Sequence, residues 1–244
     1  MLRIRPALTL ACCFILNTVS ANPISIGPYT FAGSEAFPTS AAWVDGEPTY
    51  IDHPPNQFWT SVAGNTTTDL QKALAGHDVT FGIDGRTVTA DLIFGAGNIV
   101  NRPGADLVVF ETVFEENFDL AVFLGNSLTA PRTYWSVSTS FTIGDVVGNG
   151  NTAALNAVAI DLADFGVADG AIVSRLRLYS QPVGVPPEDS TAGADIVAIG
   201  ALNIVPSPAT LSLLAWGIAG FSYAQRKARS RMRRRIDTYL GATH

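Results

Sequence analysis

Four acidic side chains fall close together in the middle of the chain: Glu111, Glu115, Glu116 and Asp119. A glycoside hydrolase needs two facing carboxyl groups, one to protonate the leaving oxygen and one to act as base or nucleophile. This segment offers candidates for such a pair, so one hypothesis is a secreted carbohydrate-active enzyme. The alternative is a solvated loop at a strand end, because acidic residues are common on protein surfaces.

Other catalytic signatures do not occur in the sequence. The three histidines, His53, His77 and His244, are isolated from one another. We find no H-E-x-x-H, no G-x-S-x-G, no Walker loop and no G-x-G-x-x-G after a predicted strand. We therefore expect a protein that is not an enzyme.

A repeated triplet raises the possibility of a metal site. Gly104-Ala105-Asp106 precedes the apolar run LVVFE, and Gly193-Ala194-Asp195 precedes IVAIGALN. Calcium prefers several carboxylate and carbonyl oxygens, and Asp106, Glu111 and Asp195 could supply them. The alternative is that each aspartate accepts hydrogen bonds from backbone N–H groups at a turn before its strand. Calcium is the one cofactor that the sequence suggests.

Aromatic side chains suggest a different kind of site. Tyr134 and Trp135 are adjacent, and so are Phe58 and Trp59. Exposed aromatic rings form stacking platforms for sugar rings, although most such residues belong to a core. Glycan stacking on Tyr134 and Trp135 is therefore our hypothesis for a binding protein.

Short β-strands are expected to position these residues. Val-, Ile-, Thr- and Phe-rich runs alternate with clusters of Gly, Asn, Asp and Pro, as in an all-β protein. In SRLRLYS, Leu176 and Leu178 alternate with Arg175, Arg177 and Tyr179, which is typical of a strand with one wet face. This pattern favours a jelly-roll-like β-sandwich over residues 22–204.

Two local elements have clear signals. Asp84-Gly85 lies between two strand-like runs in HDVTFGIDGRTVTADLIFG, residues 77–95, and predicts a tight hairpin turn. Residues 66–74 predict one short helix, with Thr68 or Asp69 as its cap.

Charge is distributed unevenly along the chain. Residues 22–204 carry six Lys/Arg against twenty Asp/Glu, a net charge of −14, although the whole chain carries −6. Because binding to phosphate backbones requires clustered cations, we do not expect a nucleic-acid partner.

The N-terminus has the features of a secretory signal. Arg3 and Arg5 precede an apolar run at residues 7–16, and small residues end at Ala21, so cleavage before Asn22 is expected. The alternative is a buried N-terminal helix, but the run has almost no polar face. Both cysteines, Cys12 and Cys13, lie in the segment to be removed, so we expect an exported domain without disulfides.

The C-terminus has three parts in a fixed order. Val205-Pro206-Ser207-Pro208 is followed by an apolar segment, residues 209–225, and by a basic block, residues 226–235. As a helix, the sixteen uncharged residues 209–224 would span about 24 Å, which is short for a bilayer unless flanking arginines snorkel. The positive-inside rule leaves the basic block and residues 236–244 in the cytoplasm and the acidic domain outside. The alternative is a core helix followed by a solvated basic stub.

These three parts resemble the PEP-CTERM protein-sorting signal of exported proteins in Gram-negative bacteria. The resemblance covers residues 205–235, with Ser207 in place of the usual glutamate. It implies recognition by an exosortase, a membrane-embedded processing enzyme of species that make exopolysaccharide. Pro206 and Pro208 would keep the backbone extended outside the membrane, where that enzyme could bind it.

Together these features predict an exported protein that is held briefly at the inner membrane and then reaches the cell surface or extracellular matrix. We expect a non-catalytic protein that binds glycan or packs within exopolysaccharide. The enzyme that uses the acidic residues at 111–119 remains the alternative.

Overall fold

The computed structural model describes residues 22–46, 49–52, 60–63, 67–79, 81–84, 88–95, 97–112, 114–143, 153–184 and 193–206. Within them the chain forms eighteen β-strands, one α-helix and two short 3-10 helices, Ser34–Ala36 and Leu162–Phe165. The first nine strands are β1 (Ile24–Ile26), β2 (Tyr29–Phe31), β3 (Ser40–Asp45), β4 (Thr49–Asp52), β5 (Thr60–Ala63), β6 (Phe81–Asp84), β7 (Thr89–Ile93), β8 (Gly97–Val100) and β9 (Leu107–Thr112).

The second half of the described chain is built in the same way. Its strands are β10 (Asn117–Leu124), β11 (Ser127–Leu128), β12 (Arg132–Trp135), β13 (Val137–Ile143), β14 (Ala153–Ile160), β15 (Ile172–Val173), β16 (Arg175–Tyr179), β17 (Ile196–Ala201) and β18 (Ile204–Pro206). The helix is α1 (Thr67–Leu74). The predicted all-β class is therefore confirmed.

Two larger sheets organise the strands, and their pairs are antiparallel. In the six-stranded sheet, β10, β16, β7 and β3 follow one another in space, and β11 and β12 both pair with the other side of β10. The four-stranded sheet has the order β13–β14–β9–β17. Smaller sheets have the orders β15–β8–β18 and β5–β4–β6, and β1 pairs with β2.

Strand β9 lies at the centre of the packing because both of its faces are buried. Leu107 and Val109 point into a first apolar cluster, whereas Val108 and Phe110 point into a second one. Both larger sheets and α1 contribute to the first apolar cluster: Ala41, Leu70, Leu74, Leu92, Phe118, Leu120, Val122, Ile160, Leu176, Leu178, Ile196 and Ile199.

The second apolar cluster covers the other face of the four-stranded sheet with residues from the N-terminal part of the described chain. Phe31 packs at 4.8 Å from Phe37 and 6.0 Å from Phe110 between ring centroids. It also lies over Gly200, where an added Cβ would come within 2.4 Å of the Phe31 ring. The segment before β3 therefore completes the core.

Several local predictions are confirmed. The helix predicted over residues 66–74 is α1, which begins at Thr67; residue 66 lies outside the described residues. The predicted cap is wrong, because Thr68 and Asp69 lie inside the helix. In β16, Leu176 and Leu178 are buried while Arg175, Arg177 and Tyr179 are partly exposed. The alternation in SRLRLYS therefore reports the two faces of a sheet correctly.

The hairpin predicted around Asp84-Gly85 is wrong. The two strands exist, but β6 pairs with β4, whereas β7 pairs with β3 and β16. Residues 85–87 lie outside the described residues. Leu92 belongs to the first apolar cluster, and β6 packs closely against β17, since a Cβ on Gly82 would come within 2.7 Å of the Ile196 carbonyl oxygen. Long-range packing thus overrides the local turn signal.

The two chain ends fall largely outside the described residues. This applies to the signal segment 1–21, to Ser207 and Pro208, and to residues 209–244. Among the described residues, no helix has the length and apolarity needed to cross a membrane. Val205 and Pro206 are described: both belong to β18, where they pair with Asn98 and Gly97 of β8. Within the described sheet β18 is an edge strand, a position that tolerates the missing N–H of a proline.

Candidate functional site

Glu111 is a fully buried carboxyl group near the end of β9. Its Oε2 accepts a very short hydrogen bond from the Ser136 hydroxyl and a longer one from the Glu116 N–H, at 3.4 Å. Its Oε1 has no hydrogen-bond partner among the described residues. Burial raises the pKa of Glu111 to about 7, and the nearby Asp195 carboxylate adds to this effect, whereas the bonds from Ser136 and Glu116 oppose it. Glu111 can therefore hold a proton close to neutral pH.

Asp106, by contrast, has a fully occupied carboxylate. Its Oδ1 accepts from the Arg102 N–H and the Asn203 side-chain amide, both at 2.9 Å, and its Oδ2 accepts from the Leu162 N–H at 3.0 Å. These bonds hold together the turns that surround the start of β9. For Asp106 this agrees with the second interpretation of the Gly-Ala-Asp triplet, in which the aspartate accepts hydrogen bonds from backbone N–H groups at a turn.

The three residues considered for calcium do not converge. Strands β9 and β17 are antiparallel, so Asp106 at the start of β9 and Asp195 at the start of β17 lie at opposite ends of the pair. Glu111 is at the Asp195 end, where the Thr112 N–H donates to the Asp195 carbonyl oxygen at 3.1 Å. In the described part of the chain, no three His, Cys, Asp or Glu side chains are grouped so that they could hold a metal ion.

The other acidic residues considered for catalysis are also dispersed. Glu115 is exposed, and its Oε1 accepts from the Ser138 N–H at 2.9 Å. Asp119 lies on the other side of the six-stranded sheet from the first apolar cluster, because its neighbours Phe118 and Leu120 point into that cluster. Its Oδ2 accepts from the Val183 N–H at 2.8 Å. Glu111 and Asp119 are thus separated by a sheet and do not face each other across a cleft.

Tyr134 and Trp135 point to opposite faces of β12. Tyr134 packs against the first apolar cluster, with its ring centroid 6.1 Å from those of both Phe118 and Phe165. Its hydroxyl donates to Asp164 Oδ2 at 3.4 Å, and burial, together with the Asp164 charge, raises the pKa of Tyr134. Trp135 is 57 % exposed. Of this pair only Trp135 presents its ring to solvent, and Phe58 and Trp59 lie outside the described residues.

A second polar cluster lies on what we call the outer face, the side of the six-stranded sheet that points away from the first apolar cluster. The strand register places Arg177 directly between Ala121 and Asp91, and Arg175 beside Ile93. Side chains on this face include Asp119, Ala121 and Phe123 of β10, Arg175, Arg177 and Tyr179 of β16, Asp91 and Ile93 of β7, and Ser40 and Ala42 of β3.

Asp91 holds two arginines at the centre of the outer face. Arg177 binds it with both arms of the guanidinium fork, Nε at 2.7 Å and Nη2 at 3.0 Å. Arg175 adds a very short contact through Nη2. Although burial of Asp91 favours its neutral form, the hydrogen bonds and charges of Arg177 and Arg175 outweigh this effect and hold the pKa of Asp91 below its ordinary value.

Phe123 completes this cluster. The Arg175 guanidinium carbon lies 4.0 Å from the centre of the Phe123 ring, and that of Arg177 lies 5.4 Å from it. Such stacking is attractive because the ring face is electronegative. The cluster of Asp91, Arg175, Arg177 and Phe123 therefore has a net charge of +1 on an otherwise strongly acidic domain.

Sequence reasoning identified Arg175 and Arg177 as residues of a wet strand face but missed Asp91 and Phe123. A charged residue inside the apolar run TADLIF could have indicated a paired aspartate. Nothing in the sequence indicates its partners, because the contact joins strands more than eighty residues apart.

Comparison of the chain with protein-family models, with curated proteins and with solved structures gives no match. Any assignment of function must therefore come from the chemistry of these two clusters and from the signals at the chain ends.

Proposed function

We propose that this chain is an exported, non-catalytic protein of the cell surface or extracellular matrix that binds glycan through the outer face. The single observation that carries the proposal is a sheet face on which two partly exposed guanidinium groups and a partly exposed aromatic ring lie together around a buried carboxylate. Protein surfaces that bind sugars combine flat apolar groups with a few oriented polar ones. The outer face has this composition, and Trp135 adds an exposed ring at the edge of the same sheet.

A jelly-roll-like β-sandwich is the architecture we propose for the binding domain. The supporting observation is that side chains of both larger sheets meet in the first apolar cluster, as in two sheets packed face to face. In such an arrangement the outer face is left open for a ligand. The antiparallel pairing of the strands agrees with this architecture.

The sorting route follows from the sequence at both ends. We propose that residues 1–21 direct export and are cleaved after Ala21, and that residues 209–225 hold the protein in the inner membrane with the acidic domain outside. An exosortase then acts at Val205-Pro206-Ser207-Pro208 and releases the domain to exopolysaccharide. The resemblance of residues 205–235 to the PEP-CTERM signal supports this route.

The test of glycan binding uses the full chain, solubilised in detergent, on an array of bacterial polysaccharides, with mass spectrometry of the sugars before and after incubation. Binding that leaves the saccharides at their original length supports the proposal. Absence of binding to every saccharide contradicts it. Shortening of a saccharide that is lost in E111Q and E116Q would instead establish the carbohydrate-active enzyme.

A further inference from the structure

On the outer face, Arg175 is the guanidinium group that carboxylates engage least. The Asp119 carboxylate belongs to the same face but lies opposite Tyr179, four residues along β16 from Arg175. Asp91 balances the charge of one guanidinium group. Arg177 binds Asp91 through both Nε and Nη2, so this side of the Arg177 guanidinium is already occupied. Arg175 reaches Asp91 only through Nη2. Its Nε is buried and has no hydrogen-bond partner among the described residues, so a ligand can reach only the outer end of the guanidinium group. The Arg175 side chain is 43 % exposed, compared with 23 % for Arg177. Arg175 is therefore the group on this face that can accept another anion.

We propose that Arg175 binds the carboxylate of an acidic saccharide, so that the glycan recognised by the outer face contains uronic acid. This inference rests on the glycan-binding function proposed above and specifies its ligand class. A carboxylate is planar and matches the guanidinium fork in a bidentate geometry. Because the Phe123 ring holds the guanidinium from one side, Arg175 loses less conformational freedom when it binds a ligand.

The residues beside Arg175 fit a sugar ring better than they fit a bare ion. Ile93 is the direct strand neighbour of Arg175 and is partly exposed. Ser40, the next residue across on β3, adds a hydroxyl group. A pyranose ring has apolar C–H faces and hydroxyl edges, so its ring can contact Ile93 while its carboxylate pairs with Arg175.

The charge of the domain limits how this ligand is bound. Residues 22–204 carry a net charge of −14, so the domain repels a polyanion at long range. Non-specific attraction of the kind that draws basic proteins to polyelectrolytes is therefore excluded as the source of affinity. Recognition must come from a short-range contact with a single carboxylate, and it must depend on Arg175 itself.

The experiment compares oligogalacturonate with the same oligomers after methyl esterification, with calorimetric titration into the full chain in detergent. We expect the free acid to bind and the ester to bind at least about tenfold more weakly, since a charged hydrogen-bonded pair is lost. R175Q should reduce affinity for the acid by a similar factor. R132Q makes the same charge change on β12, outside the outer face, and should leave affinity within about twofold.

A second variant guards against a folding defect in R175Q. I93E keeps Arg175 in place but sets a carboxylate beside it, so it should abolish binding of the acid while the thermal melting temperature stays close to that of the parent chain.

Equal binding of acid and ester, or R175Q and R132Q having the same effect, would overturn the inference while leaving glycan binding intact. Equal affinity for a polyglutamate peptide would overturn the saccharide class. Absence of binding to any glycan would overturn the proposed function itself.

Discussion

At the scale of single residues, two buried carboxyl groups differ because their neighbours differ. Asp91 is surrounded by guanidinium groups and is held as a carboxylate. Glu111 accepts hydrogen bonds from Ser136 and Glu116, and the charge that acts on it is the Asp195 carboxylate, which disfavours ionisation. The same burial therefore leaves one group ionised and gives the other a proton near neutral pH. The two groups should affect stability at opposite ends of the pH range.

For Glu111 we predict a loss of stability as pH rises. Its pKa is about 7 in the folded chain and near 4.5 when unfolded, so its stabilising contribution is fully present below pH 4.5 and is lost as pH rises through 7. The difference corresponds to about 3 kcal/mol. Urea unfolding between pH 4.5 and pH 8.5 should show this decrease, and E111Q should remove most of it. E115Q, at an exposed site, is the control. Identical pH slopes in the parent chain and E111Q would contradict the prediction.

For Asp91 the sign is reversed. Its pKa is lowered on folding, so its contribution is present above its unfolded value near 3.8 and is lost as pH falls through the folded value. D91N leaves two guanidinium groups without their shared carboxylate, and we expect it to reduce the free energy of unfolding by about 1–3 kcal/mol at pH 7. Because both arginines are partly solvated, the lower half of that range is favoured. An unchanged free energy of unfolding in D91N, compared with D169N at an exposed loop, would show that the ion pairs are not stabilising.

At the scale of elements, the alternation of apolar and polar residues and the enrichment of Val, Ile, Thr and Phe predicted strands well. These patterns did not predict which strands pair with one another. The wet face of β16 and the position of α1 follow from patterns within a few residues. The pairing of β6 with β4, and of β7 with β3 and β16, depends on contacts that no local pattern encodes. The outer-face cluster was only half predicted for the same reason. The alternation in β16 identified the two arginines, but strand pairing brings Asp91 and Phe123 beside them.

The N-terminal segment offers a prediction at this scale. Phe31 is almost fully buried between Phe37, Phe110 and Gly200. F31A should therefore leave a cavity beside β9 and β17 and lower the free energy of unfolding by about 3–5 kcal/mol. F114A removes the same ring from a site that is 65 % exposed and should cost far less. Similar denaturation midpoints for the two variants would mean that the second apolar cluster contributes little to stability.

At the scale of the whole molecule, the proposed parts act in sequence. We propose that export removes residues 1–21, that the tail then holds the acidic domain outside the membrane, and that processing releases it. The last described strand, β18, contains Val205 and Pro206 and pairs with β8. Cleavage after Pro206 would therefore leave this pairing intact, whereas cleavage within β18 would remove it. We expect the released form to keep the whole of β18.

Intact-mass measurement of the protein recovered from the extracellular matrix tests this route most directly. We predict a species that begins at Asn22, ends within a few residues after Pro206 and lacks the apolar and basic segments of the tail. A chain that is recovered from the cytosol with residues 1–21 and 209–244 both intact would contradict export, sorting and the proposed encounter with an extracellular glycan.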